Sequence, residues 1–277
     1  MSYRELLASA TAELERAGVP SARVDAEWLL AEALGISRTE LYADGFRPPT
    51  AEQERRFQDL VGRRASREPL AYVLGEWGFR RLVLRVDSRV LIPRPETESL
   101  VERCLELLAG NPGPRVLDIG VGSGAIALGI ADEHPGARVV ATDNSPGALA
   151  VAEENIARTG LGDRVELVQG ELFAGLEGPF DLVVSNPPYV KPEEIDQLEP
   201  EVARFEPREA LVAHGVTEAI VGQGLSRLAP GAPLVLEVGD GEARGVAGLL
   251  TSLGYDDVRI GEDLAGRERV VDGRAPR

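Results

Sequence analysis

Val116-Leu117-Asp118-Ile119-Gly120-Val121-Gly122-Ser123-Gly124-Ala125-Ile126-Ala127 decides the fold of this chain. The apolar run Val116–Ile119 reads as a short strand, and Ala125 to Ala131 as a helix. Glycines at alternate positions between them let the backbone turn tightly and approach a ligand closely. A strand–glycine loop–helix unit opens a nucleotide site at the carboxyl end of a sheet.

The same alternation continues downstream. Val139–Thr142 is a second strand, Pro146–Arg158 a helix, and Val165–Val168 and Leu182–Ser185 are further strands. Leu234–Val238, Asp257–Ile260 and Arg269–Val271 complete seven. Apolar strands alternating with helices imply an α/β domain whose mainly parallel sheet is covered on both faces.

Upstream the period changes. Residues 1–75 read as a small helical bundle, with Tyr3, Leu6, Leu7, Ala10 and Leu14 at helical spacing. Ser21 and Ser37 are set to cap helices, and Thr50 with Gln53 has capping-box spacing. Residues 76–95 read as a linking β-hairpin, with Leu82, Leu84 and Val86 in alternation and Val90–Ile92 following Asp87-Ser88. Pro93-Arg94-Pro95 holds an extended backbone, and Thr97 is expected to cap the next helix, through Leu108. Residues 96–277 read as the α/β domain.

With 277 residues the chain has room for one large α/β domain and a small second one. No run reaches the roughly 18 apolar residues of a membrane span. Met1 to Ala17 carries Glu5, Glu13 and Glu15 and lacks the order of a signal peptide. One cysteine, Cys104, permits no internal disulfide, so a cytoplasmic setting is expected. Cys104 reads as core, His134 as a loop residue after a helix and His214 as surface; they supply no zinc cluster.

Residues 1–85 balance 13 Arg against 13 acids, while the remainder holds 17 basic and 33 acidic residues, the whole net charge of −16. An acidic catalytic half opposes a phosphate backbone. Arg55, Arg56, Arg63, Arg64 and Arg67 form a basic strip, either a solvated helix face or a partner-binding one.

The glycine spacing is G-x-G-x-G, where a dinucleotide loop wants G-x-G-x-x-G, and no Gly-Lys-Ser/Thr phosphate loop is present. Asp118 beside the loop opposes a pyrophosphate but suits the ammonium of a methionine moiety. The loop therefore favours S-adenosyl-L-methionine. Asp143 ends the second strand 19 residues after Gly124, where a carboxylate can accept from ribose hydroxyls. At Glu171-Leu172 an acid can meet the adenine amino group and an apolar side chain the ring. The expected cofactor residues are Gly120, Val121, Gly122, Ser123, Gly124, Asp143, Glu171, Leu172 and Asn186.

Ser185-Asn186-Pro187-Pro188-Tyr189 carries the chemistry. The prolines stiffen the backbone just past a strand. The Asn186 side-chain carbonyl and the Pro187 backbone carbonyl then offer two acceptors to a planar –NH2 group. Tyr189 can stack on that flat group. Asn186, Pro187 and Tyr189 are the expected catalytic residues, and Pro188 joins them in binding substrate.

An Asn-Pro-Pro-Tyr signature serves adenine, cytosine and glutamine –NH2 groups alike. The longer text resembles the bacterial peptide chain release factor N5-glutamine methyltransferases. It includes Tyr72-Val73-Leu74-Gly75, Val90-Leu91-Ile92-Pro93-Arg94-Pro95-Glu96-Thr97-Glu98, Val116–Ala127, Val184–Val190, Leu236-Glu237-Val238-Gly239 and Asp263-Leu264-Ala265-Gly266-Arg267. The match runs over nearly the whole chain. It implies a Rossmann-like class I fold and S-adenosyl-L-methionine as methyl donor, with S-adenosyl-L-homocysteine as product. It implies as substrate the glutamine of the Gly-Gly-Gln motif in class 1 release factors, recognised with help from the helical N-terminal domain. By the same resemblance Arg94 and Glu96 shape the mouth of the site; the plainer reading makes them a rigid interdomain brace with a helix cap. A monomer is expected. Methylation of a base amino group in nucleic acid is the alternative.

Overall fold

Thr50 opens the helix Ala51–Ala65 through the reciprocal capping box its spacing predicts, and Ser2 does the same for Tyr3–Arg16. Ser37 and Glu40 cap Arg38–Ala43 in like manner. Ser21 precedes Ala22–Leu34 but makes no side-chain cap; its hydroxyl donates to Asp25 Oδ1 at 2.8 Å. The computed structural model describes residues 2–43, 48–212 and 215–277, with the backbone alone at Ala43. The expectation for His214 lies outside the described residues.

The chain divides into two units, Met1–Gly75 with Leu198–Phe205, and Glu76–Gln197 with Glu206–Arg277. In the helical unit, Leu6, Leu14, Leu29, Leu30, Phe57 and Val61 form the core. Arg64, 4 % exposed, donates from Nε to Asp25 Oδ2 at 2.7 Å and pairs through Nη1 with Glu201 at 2.8 Å. Arg67 grips the same carboxylate at 2.6 Å. These bonds bind the short helix Pro200–Phe205 into the helical unit. Arg63 pairs with Glu68 and Arg56 with Glu32, so carboxylates engage four of the five arginines in the basic strip.

The larger unit opens with the hairpin β1 (Glu76–Phe79) and β2 (Leu82–Arg85). The sequence reading paired residues around Leu84 with Val90–Ile92 across Asp87-Ser88. Instead the turn is Arg80-Arg81, and Val90–Ile92 is not a strand. Arg80 adopts φ 51°, held there by its N–H to Glu98 Oε1 at 3.0 Å and by its guanidinium on Glu102 and Glu133.

The main strands are β3 (Arg115–Ile119), β4 (Arg138–Asp143), β5 (Val165–Gln169), β6 (Leu182–Ser185), β7 (Pro233–Glu237), β8 (Asp256–Glu262) and β9 (Glu268–Arg274). They lie in the order β5-β4-β3-β6-β7-β9-β8. Pairing is parallel from β5 to β7 and antiparallel at β9 and β8. One face packs Leu100, Val101, Leu128 and Ile130 against Val116, Val139 and Val184. The other packs Ile220, Val221 and Leu250 against Leu117, Val183 and Leu234. Cys104 is wholly buried in the first layer. This is the mainly parallel α/β sheet the alternation predicts. Chain order reverses around β3, so the crevice outside the carboxyl ends of β3, β4 and β6 is a ligand position.

No helix among the described residues is long and apolar enough to cross a membrane, and no group of metal ligands is found there.

Candidate active site

A cavity of about 310 Å³ opens at those strand ends. Gly120, Val121, Gly122 and Ser123 line it after β3, Asp143 and Asn144 after β4, Glu171 and Leu172 after β5, and Asn186, Pro187 and Pro188 after β6. Two of the expected residues, Gly124 and Tyr189, do not line it.

The glycine loop is shaped by its own geometry. Gly120 and Gly122 have φ of 80° and 51°, which side chains disfavour. The N–H groups of Gly120 and Val121 both donate to the Thr142 carbonyl at 2.8 Å. Gly124 is the residue before the helix Ala125–Glu133, at φ 87°, with Leu128 packed close against it. Asp143 Oδ2 accepts the Gly122 N–H at 3.0 Å and Oδ1 the Ser145 N–H at 2.9 Å. Asp143 thus braces the loop while facing the cavity, and each oxygen keeps a further acceptor direction. Leu172 holds φ 53°, and its carbonyl accepts from Thr142 Oγ1 at 3.4 Å, which aims the Glu171-Leu172 turn.

Asp118 departs from the sequence reading. It is fully buried beneath the loop and is not in the lining, so it meets no ligand ammonium. Oδ2 accepts the Ala127 N–H at 3.0 Å, and Oδ1 has no partner among the described residues. Burial pushes its carboxyl up to about 7, with Asp143 adding to the rise against the Ala127 N–H.

The donor set suits S-adenosyl-L-methionine better than a polyphosphate. Carboxylates of Asp143, Glu171 and Glu209 line the cavity beside apolar Leu172, Ile126 and Val216. Two arginines also line it, and both are already neutralised. Arg89 pairs with Asp87 at 2.6 Å, and Arg94 reaches both oxygens of Glu206 at 2.6 and 2.8 Å. A cationic nucleoside with a carboxyl-lined surround fits; a pyrophosphate meets no spare cation in this lining.

The Asn186 segment follows β6 directly. Ser185 Oγ donates to the Ile119 carbonyl at 2.7 Å, tying the strand end to the glycine loop. Asn186 Nδ2 donates to Thr97 Oγ1 at 3.4 Å, which turns Oδ1 the other way. Thr97 is therefore not the helix cap the sequence suggested. The helix Pro95–Leu108 begins two residues earlier, with Arg94 before it and no side-chain cap, and the Thr97 hydroxyl is buried against the site. Tyr189 lies beside the turn after β7, where a Cβ on Gly239 would come within 3.2 Å of its ring. Burial, with Glu237 nearby, pushes its phenol up to about 12, so it stays neutral.

The same turn exposes what the sequence did not single out. Glu237, at the end of β7, is 1 % exposed, and its Oε2 lacks a partner among the described residues. Asn155 is equally hidden: fully buried, it donates to the Ser123 carbonyl at 2.8 Å and exchanges bonds with the Arg85 backbone.

The PrmC N-terminal domain family matches residues 5–75, and the Methyltransferase small domain family residues 98–223. A release factor glutamine methyltransferase of Deinococcus radiodurans is 45% identical over 280 residues, covering 99% of each chain. The chain belongs to the release factor glutamine methyltransferase family. A second relative of that name, from Geobacter sulfurreducens, is 42% identical over 99% of this methyltransferase and 96% of its own length. A solved methyltransferase from Pyrococcus furiosus shares the fold, with a TM-score of 0.53 at 20% identity, over 70% of this chain and 89% of that one. The resemblance read from Pro93–Glu98 and Asn186–Tyr189 is thus borne out at the level of family and fold.

Proposed function

We propose that this methyltransferase methylates N5 of the glutamine side chain in the Gly-Gly-Gln motif of class 1 release factors, with S-adenosyl-L-methionine as donor. One observation carries the reading: Asn186 at the carboxyl end of β6, its Nδ2 committed to Thr97 and its Oδ1 turned away, next to the rigid Pro187-Pro188 in the cavity wall.

An amide nitrogen is a poor nucleophile because its lone pair is delocalised. The Asn186 Oδ1 and the Pro187 carbonyl accept the two –NH2 hydrogens and aim the nitrogen. Positioning of this kind supplies roughly 7–11 kcal/mol of a barrier. The same acceptors stabilise positive charge developing on nitrogen. The bound S-adenosyl-L-methionine supplies a methyl group already activated on a sulfonium. Gly120 to Ser123 and Asp143 would hold the donor's amino acid and ribose, and Glu171 with Leu172 its adenine. Tyr189, kept neutral, packs on the edge of the substrate amide. The helical residues 1–75 recognise the release factor, and the reaction belongs to the cytoplasm, where translation terminates.

Methyl-labelled donor tests the assignment. The protein is incubated with a release factor, with the same factor carrying another residue for the Gly-Gly-Gln glutamine, and with DNA or RNA. Label on the intact factor alone is expected. Label on nucleic acid instead would assign the clamp to a base amino group.

A further inference from the structure

Glu237 is a carboxylate with no evident reason to be buried. It stands at the end of β7, one residue past the Ser185↔Leu236 pairing, which sets it beside Asn186. Thr97 and Asn186 both stand near enough to favour its charged form, and its Oε2 has no partner among the described residues. Thr97 also receives Asn186 Nδ2 on its oxygen at 3.4 Å. The three side chains make a polar row from the sheet interior to the cavity wall, joined by the Asn186–Thr97 bond.

Such a row has a direction. An ionised carboxylate only accepts, so it draws donors, the Thr97 O–H and the Asn186 Nδ2, to its side. The Thr97 oxygen then accepts from Asn186, which must present Nδ2 inward and Oδ1 outward. A protonated carboxyl is also a donor and permits the reverse: it donates to Thr97, Thr97 donates to Asn186 Oδ1, and Nδ2 turns to the cavity. An –NH2 substrate then meets a donor where it needs an acceptor.

We propose that Glu237 is the positioning residue of the clamp, its carboxylate acting together with Thr97 to keep the Asn186 carbonyl facing the substrate amide. This deepens the reading above and rests on Asn186 being the acceptor. Glu237 touches neither the donor nor the reacting nitrogen; it acts by setting which end of Asn186 does.

The site is poised to switch. Burial pushes the Glu237 carboxyl up to about 7, partly offset by Thr97, Arg269 and Asn186. Its charged neighbours are few. Glu96 on the helix Pro95–Leu108 raises it further, and Arg269 on β9, itself near Asp263 at 3.8 Å, lowers it. Tyr189 is neutral, and Asp272 on β9 is held by Arg103 at 2.6 Å. Deprotonation near neutrality restores the productive direction, so kcat/KM should rise with pH through this range and fall tenfold per unit below it.

The test is a pH profile of kcat/KM for methyl transfer to a release factor, using full-length protein. The parent is expected to show an acid limb near pH 7. Glu237→Gln, which can turn either its amide nitrogen or its carbonyl to Thr97, should lose the limb and run at least tenfold slower at pH 8. Thr97→Val should do the same, while Thr97→Ser, which keeps the hydroxyl, should retain the parental shape. If Glu237→Gln fails to fold, the Thr97 pair decides. An acid limb persisting unchanged in Glu237→Gln or Thr97→Val overturns the proposal and assigns the limb elsewhere, Asp118 being the other carboxyl near 7. Asn186→Ala separates the two levels. Slow Asn186→Ala beside parent-like Glu237→Gln and Thr97→Val sinks only the positioning role; parent-like Asn186→Ala sinks the clamp itself.

Discussion

Asn155 Nδ2 donates to the Ser123 carbonyl at 2.8 Å, so a residue outside the reaction holds the glycine loop from beneath. The same side chain accepts the Arg85 N–H at 2.7 Å and donates to the Arg85 carbonyl at 3.0 Å. It is fully buried on the helix Pro146–Thr159. One amide thus fixes the hairpin strand and the donor loop together.

Replacing Asn155 with Leu would strand one buried and two part-buried backbone groups. Each unsatisfied group costs about 1–3 kcal/mol. The larger unit should lose about 3 kcal/mol or more in urea unfolding, and donor affinity measured by calorimetry should fall with it. A variant with parental stability would show that the bridge carries no weight.

Asp143 accepts the Gly122 N–H at 3.0 Å while facing the cavity. Hydrogen bonds to a charged group are worth about 1.5–3 kcal/mol. Asp143→Ala should therefore weaken S-adenosyl-L-methionine binding by roughly ten- to a hundredfold. The change belongs in Kd; an unaltered Kd would remove Asp143 from the donor site.

Asp118 sets a pH dependence of stability. Its folded pKa, near 7, stands above its ordinary 3.8, so the folded chain holds this proton more tightly than the unfolded one. The contribution is full below about pH 4 and is lost as pH rises through 7. Asp118→Asn cannot ionise and keeps an acceptor for the Ala127 N–H. Its stability relative to the parent should improve between pH 5 and pH 8, by on the order of 2–4 kcal/mol. Parallel melting curves across that range would contradict the assignment.

In the helical unit the Arg64–Asp25–Glu201 cluster is buried, whereas Arg56–Glu32 is exposed. Removing one partner of a buried pair costs about 3–5 kcal/mol, and of a surface pair about 0–1. Arg64→Ala should destabilise this unit far more than Arg56→Ala in thermal unfolding. Equal effects would mean the buried charges are already well solvated.

Much of this site could be read from sequence because its signals are local. The glycine loop, Asp143, Glu171-Leu172 and Asn186-Pro187-Pro188 each sit just past a strand, and the α/β rule brings strand ends together without further information. What escaped depends on contacts between distant residues. Thr97 looks like a helix cap until Asn186, 89 residues on, takes its hydroxyl. Asn155 and Glu237 are polar residues in apolar surroundings, and one sequence cannot tell a buried partner from a solvated one. The hairpin was misread because Arg80-Arg81 has no turn chemistry of its own; a backbone hydrogen bond to Glu98 and ion pairs with Glu102 and Glu133 impose it. Leu198–Phe205 joins the helical unit through Glu201, a bond to arginines 134 and 137 residues earlier in the chain that no periodicity could signal.

The account stands on one acceptor, and single-turnover methyl transfer to a Gly-Gly-Gln release factor measures it. With donor saturating, Asn186→Ala should react about 10²–10³ times more slowly than the parent, the loss seen when one preorganised polar group is removed from a transition state. A parental rate in that variant would show that the glutamine amide is held by something else.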